Sequence, residues 1–167
     1  YYYEPGGGLH SGWLFENGSI YYFDQSGKAL TGICNIEGEE YVFDQNGKLR
    51  TGIVEIDDDD YGYDPQNGTK MKGFQYIAGK LYYFDPENGK MQKGLKKING
   101  ELYYFSPASG AVHYGFLDIN GKTYYFGENG AALSGCRVID NKTYIFDENS
   151  KALQTGFFTV DGKTYYG

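Results

Sequence analysis

Glycines recur at Gly12, Gly32, Gly52, Gly73, Gly94, Gly115, Gly135 and Gly156, 20 or 21 residues apart, and the rest of the chain is phased to them. A period of this length means one small unit used again and again, and it constrains the fold more than any local preference does. With each anchor glycine counted as zero, position +9 is tyrosine in all eight copies: Tyr21, Tyr41, Tyr61, Tyr82, Tyr103, Tyr124, Tyr144 and Tyr165. Position +11 is aromatic in the first seven, from Phe23 to Phe146. Position +4 is isoleucine in six copies and Val160 in another, with Glu16 as the exception.

Turn chemistry sets the register inside each unit. Positions +5 and +6 read Asn17-Gly18, Glu37-Gly38, Asp57-Asp58, Ala78-Gly79, Asn99-Gly100, Asn120-Gly121, Asp140-Asn141 and Asp161-Gly162. Gly, Asn and Asp tolerate positive φ, and Asn-Gly is the preferred two-residue hairpin connection. A turn there pairs +4 with +7, +3 with +8, +2 with +9 and +1 with +10. Side chains alternate along a strand, so +4, +9 and +11 share one face while +1, +3, +8 and +10 share the other. The near-constant Ile-Tyr-Phe face reads as the core. One hairpin is not stable in water, so these faces are expected to be buried by stacking repeat on repeat. The chain thus predicts an all-β solenoid of about eight stacked hairpins, with residues 1–167 as one array.

Composition agrees. Nineteen tyrosines, eleven phenylalanines and 26 glycines beside four prolines favour strands and tight turns over helices. A formal charge of −7 argues against a nucleic-acid partner, whose phosphates call for clustered Lys and Arg, and no basic amphipathic stretch or long apolar run suits a membrane. Tyr1 to Gly6 reads as the back half of a repeat and the last residues stop in mid-repeat, so the sequence is expected to be a piece of a longer protein. Cys34 and Cys136 fall in repeats two and seven and are expected to be free thiols, since stacked repeats touch only their neighbours.

The second face carries the variation. Its cross-strand pair at +1 and +10 reads Trp13/Tyr22, Ile33/Val42, Ile53/Gly62, Phe74/Tyr83, Leu95/Tyr104, Phe116/Tyr125, Cys136/Ile145 and Phe157/Tyr166. Wherever +1 is aromatic, +10 is tyrosine. Paired aromatics can form a platform for a sugar ring or a cage for a cation; they can also simply brace the hairpin. Trp13, Tyr22, Phe74, Tyr83, Phe116 and Tyr125, then Tyr104, Phe157 and Tyr166, are the candidate ligand-binding residues. Repeats two, three and seven are expected to be blank.

The unit Gly-(aromatic)-x-x-Ile-x-Gly-Lys-x-Tyr-Tyr-Phe, as it runs from Gly115 to Phe126, resembles the cell-wall-binding repeat of the choline-binding type. Its relatives include the C-terminal repeats of clostridial toxins and the glucan-binding repeats of streptococcal enzymes. The resemblance spans essentially the whole chain. It implies hairpins wound into a superhelix, attached to another protein, secreted or held at a Gram-positive cell surface. In choline-binding members, tryptophans at +1 and +8 and an aromatic from a neighbouring repeat cage the choline of teichoic acid. Here Trp13 is the only tryptophan, and +8 holds Ile20, Glu40, Asp60, Leu81, Leu102, Thr123, Thr143 and Thr164. In this the chain looks more like the toxin and glucan-binding branches, whose ligands are carbohydrates.

Catalytic chemistry has little to build on. His10 and His113 lie in separate inter-hairpin loops, and no metalloprotease, nucleophile-elbow or phosphate-loop motif occurs. Carboxylates sit mostly in turns, including the run Asp57 to Asp60, which reads as a solvated turn rather than a metal site. The expectation is therefore a non-catalytic module without cofactor or metal. Its partners would be wall polysaccharide, teichoic acid or another glycan, including one of a host. Choline recognition and a structural spacer are the alternatives.

Overall fold

The computed structural model describes residues 1–160 and 162–166, and for Phe157, Phe158, Val160, Lys163, Tyr165 and Tyr166 it describes the backbone alone. Sixteen short strands follow in order: β1 (Gly12–Glu16), β2 (Ser19–Phe23), β3 (Gly32–Ile36), β4 (Glu39–Phe43), β5 (Gly52–Ile56), β6 (Asp59–Tyr63), β7 (Gly73–Ile77) and β8 (Lys80–Phe84). They continue as β9 (Gly94–Ile98), β10 (Glu101–Phe105), β11 (Gly115–Ile119), β12 (Lys122–Phe126), β13 (Gly135–Ile139), β14 (Lys142–Phe146), β15 (Phe157–Val160) and β16 (Lys163–Tyr166). Among the described residues, consecutive strands form eight two-stranded sheets, and no strand joins a larger sheet. The register is the one the turns dictate, with Trp13 opposite Tyr22, Leu14 opposite Tyr21 and Phe116 opposite Tyr125. Turn residues such as Asn17 (φ 49°) with Gly18 (φ 72°), and even Glu37 (φ 54°) with Gly38 (φ 90°), take the two positive φ values of a type I′ turn. Every anchor glycine also has positive φ, from 68° at Gly73 to 90° at Gly12, which explains its constancy.

After each hairpin the chain makes a tight loop and returns. Asp24, Asp44, Asp64, Asp85 and Asp147 cap these loops by accepting backbone amides through Oδ1, as in Ser26 N to Asp24 at 2.8 Å. The returning residue bridges its own +11 aromatic, as Leu49 does with Phe43 and Leu153 with Phe146. Its amide also donates to the +8 carbonyl of the preceding repeat. Examples are Leu49 N to Ile20 O (2.8 Å), Met91 N to Asp60 O (2.8 Å), Ala132 N to Leu102 O (2.7 Å) and Leu153 N to Thr123 O (2.7 Å). Isolated hairpins thereby become hydrogen-bonded stacks. Two compact units result, residues 1–79 with 83–91, and residues 80–82 with 92–167.

The +11 aromatics form the centre of the core. Phe23, Phe43, Tyr63, Phe84, Phe105, Phe126 and Phe146 are all buried. Around Phe43 pack Ile36 and Leu49, and around Phe126 pack Tyr124, Ala132 and Ala152. The rest of the expected core face is less uniform: of the +9 tyrosines with described side chains, only Tyr82 and Tyr124 are buried, and the others are half-buried. On the second face, the described +1 side chains are exposed in every repeat. Gly62, at +10 of the third repeat, is a packing requirement. A Cβ there would lie 2.5 Å from Cζ of Phe84, the +11 ring of the following repeat.

Two outcomes follow, both read by urea unfolding. Phe126→Ala loses about 3–5 kcal/mol through transfer and cavity terms. Gly62→Ala loses about 1–3 kcal/mol by overpacking against the Phe84 ring, although alanine is the better strand residue.

Candidate functional site

Among the described residues, two shallow grooves of the same construction are found on the second face. The first, about 430 Å³, is lined by Trp13, Leu14, Phe15, Ile20, Tyr41, Leu49 and Asn67. The second, about 370 Å³, is lined by Phe116, Leu117, Asp118, Thr123, Tyr144 and Leu153. Both take +1, +2, +3 and +8 from one repeat, then the +9 tyrosine and the returning leucine from the next. Trp13 stands 4.9 Å from Tyr41 at an interplanar angle of 66°, and Phe116 stands 5.0 Å from Tyr144 at 58°. Two rings in contact thus form a steep-angled corner in the wall of each groove. The grooves differ at +3 and +8. In the first these are Phe15, 73% exposed, and Ile20; in the second they are Asp118 and Thr123, whose hydroxyl donates to the Asp118 carboxylate at 2.5 Å.

The predicted pairs do come together. Trp13/Tyr22, Phe74/Tyr83 and Phe116/Tyr125 meet at 5.0, 4.7 and 4.7 Å in edge-to-face contacts. Their +1 rings are exposed, whereas Tyr22, Tyr83 and Tyr125 are half-buried. Tyr22 packs against the Ile36–Phe43–Leu49 cluster, and Tyr104 against the cluster around Phe126, so these +10 rings hold the groove in place rather than line it. The Phe157/Tyr166 pair lies outside the described side chains. Sequence reasoning passed over Tyr41 and Tyr144, because +9 reads as constant core within one hairpin. Their role appears only when the next hairpin is in place.

His10 and His113 turn out to be repeat-equivalent, each two residues before an anchor glycine. His10 Nε2 contacts the Trp13 carbonyl oxygen at 3.1 Å, and His113 Nε2 that of Phe116 at 3.2 Å. Each fixes the backbone beneath a groove aromatic. His10 also meets Glu4 Oε1 through Nδ1 at 2.6 Å, and this hydrogen bond raises its pKa above the usual histidine value.

Two other repeat junctions place polar residues at the groove positions. Between repeats two and three, Ile33 stands at +1 and Glu40 at +8, with Tyr61 and Lys70 supplied by the next repeat. Glu40 Oε1 pairs with Lys70 Nζ at 2.9 Å and accepts from the Tyr63 hydroxyl at 2.7 Å. Lys70 Nζ lies 4.2 Å from the centre of the Tyr61 ring. Burial alone would raise the Glu40 pKa, but Lys70 and Tyr63 hold it below the ordinary glutamate value; burial followed by Glu40 pushes Tyr63 upward. A further groove of about 310 Å³ joins Leu95, Lys97 and Leu102 of repeat five and Tyr124 of repeat six to Glu148, Asn149 and Lys151 of repeat seven.

Cys34 and Cys136 are free, Cys34 half-buried and Cys136 exposed. In the acidic run, Asp57 and Asp58 make the turn and Asp59 pairs with Lys90 at 2.5 Å. Among the described residues, no group of three or more His, Cys, Asp or Glu side chains is placed to hold a metal ion.

Comparison with known proteins gives two family models. One described as a choline-binding repeat matches residues 71–114 and 113–154, and one described as a putative cell wall binding repeat matches residues 11–29 and 155–166. No curated protein sequence matches the chain. Among solved structures, choline binding protein F from Streptococcus pneumoniae is similar over 94% of this chain and 55% of its own, at 27% identity and a TM-score of 0.78. The same protein in the presence of a peptidoglycan analogue, a tetrasaccharide-pentapeptide, gives 27% identity and 0.77 over 94% and 56%. CbpJ from Streptococcus pneumoniae TIGR4 gives 25% identity and 0.81 over 99% and 66%. The chain thus spans between half and two thirds of these proteins.

The His10 geometry makes a pH prediction. Because the folded pKa is raised, the Glu4 contact stabilises the fold fully below the unfolded histidine value and is lost as pH rises through the higher folded value. A proton NMR titration should show His10 titrating above pH 6.5, and Glu4→Gln should bring it down.

Proposed function

The chain belongs to the choline-binding repeat family, and we propose that it works as a non-catalytic wall-binding module whose aromatic grooves receive quaternary ammonium groups. The observation that carries this reading is the steep meeting of Trp13 with Tyr41 and of Phe116 with Tyr144. A sugar ring stacks on one open, flat face. Two touching rings set at about 60° offer a corner that suits a compact, rounded group, and their π-electrons favour a cationic one. Choline-bearing wall polymer fits this chemistry. The leucine at the base of each groove, Leu49 or Leu153, suits the methyl groups of such a cation.

Saccharide binding is the second reading, and one groove favours it. Across repeats five to seven, Leu95, Leu102 and Tyr124 offer an apolar floor, while Lys97, Glu148 and Asn149 offer donors and acceptors for hydroxyls. Cation and sugar sites on one array would let it hold a polymer at several weak points, with avidity arising from multiplicity. The wall-binding repeats indicate a cell-surface or cell-wall-associated protein. Secretion, and attachment of a further domain to the wall, are part of the proposal.

Trp13 is the sole tryptophan, so its fluorescence reports on the first groove alone. Choline should shift it, and the uncharged isostere 3,3-dimethylbutanol should not. Tyr41→Ala should weaken choline about five- to tenfold, the scale of one cation–π wall. Phe116→Ala should remove the second equivalent seen by calorimetry. Emission unmoved by choline would overturn the cation reading.

A further inference from the structure

The junction between repeats two and three carries a cation of its own. Three of its positions correspond to those of the two open grooves, while Ile33 stands at +1 in place of Trp13 and Phe116. Tyr61 stands where Tyr41 and Tyr144 stand, at +9 of the following repeat. Glu40 stands where Ile20 and Thr123 stand, at +8. Lys70 bridges Tyr63 as Leu49 bridges Phe43 and Leu153 bridges Phe146, so it takes the place of the leucine that lines each open groove.

A lysine in the leucine position brings an ammonium group to the ring. Lys70 Nζ lies 4.2 Å from the centre of Tyr61, within the range of a cation–π contact, and 2.9 Å from Glu40 Oε1. Glu40 is steadied in turn by the Tyr63 hydroxyl at 2.7 Å. The lysine stem is confined as well, since a Cβ on Gly89 would lie 2.6 Å from Lys70 Cε. This is an aromatic face, a carboxylate and a seated ammonium, built from residues up to 30 positions apart.

We infer that this junction is a third organic-cation site, occupied by Lys70 in place of an external ligand. The inference rests on the cation reading of the open grooves and adds to it. Lys70 is an internal competitor, and Glu40 supplies a carboxylate that the Trp13 groove lacks. With Lys70 seated, the junction contributes stability to the stack and no ligand affinity. Removing its ammonium leaves a carboxylate with one hydrogen bond beside an open tyrosine ring, and a small alkylammonium ion restores the missing charge.

Titration of tetramethylammonium chloride into the wild-type chain and into Lys70→Met tests this, methionine being chosen to keep an unbranched apolar stem over Gly89. Lys70→Met should bind one ion more by calorimetry, and the Tyr61 ring resonances should shift in the variant but not in the wild type. Adding Glu40→Gln should weaken the new site about fivefold and leave the Trp13 response unchanged. A folded Lys70→Met with no added ion and no Tyr61 shift overturns the inference. Trp13 fluorescence separates it from the functional reading: a Trp13 response with a silent Tyr61 overturns this inference alone. A silent Trp13 overturns the reading of the open grooves, while a Tyr61 shift in Lys70→Met still supports the third site. If Lys70→Met does not fold, Lys70→Gln carries the same titration.

Discussion

Hairpins of five-residue strands do not hold together in water, and here each is held by the segment that follows it. That returning segment donates one backbone amide to the preceding repeat, as from Leu49 to Ile20 or Leu153 to Thr123, and closes over its own +11 aromatic. The hydrogen bond fixes the spacing between repeats, and burial of the ring supplies the driving force, roughly 1.5–3 kcal/mol for each large side chain. Neither works alone. An amide without the buried ring would exchange with water at little cost, and a ring without the amide would leave the stacking distance loose.

The same contact builds the grooves. Because the returning residue reaches the +8 position of the previous repeat, it arrives beside that repeat's exposed +1 side chain and brings the adjacent +9 tyrosine with it. One position therefore has two duties. Its backbone holds the stack, and its side chain sets the chemistry of the groove. Leucine at this position leaves an apolar groove open beside Trp13 and Phe116, whereas lysine puts an ammonium on Tyr61. Repeats that share one hairpin register thus present different side chains at the groove.

The aromatic pairs also divide their labour. The exposed +1 ring faces the groove, while the +10 tyrosine behind it packs toward the next core, as Tyr22 does against Ile36, Phe43 and Leu49. The histidines at His10 and His113 brace the +1 backbone from beneath, one to each open groove. These supports hold the backbone that carries each +1 ring.

How much of this was legible in the chain follows from the range of each interaction. Period, register, type I′ turns and the buried +11 row could all be read directly, because strand pairing across a two-residue turn is local and each side chain's face follows from alternation. The residues that meet at +1 and +10 were legible for the same reason. The wall that the next repeat adds to each groove was not. Tyr41 beside Trp13, Tyr144 beside Phe116, and Lys70 between Glu40 and Tyr61 depend on how one hairpin is seated on the next, a contact across about 20 to 30 residues that a period announces without orienting. Repeats two and three, which look blank when only their own pairs are read, hold a charged cluster once stacked. The sequence by itself determined the hairpin and its repetition, since both rest on short-range geometry. Only the tertiary structure decided which face of which repeat completes a site, because that depends on the stacking of separate hairpins.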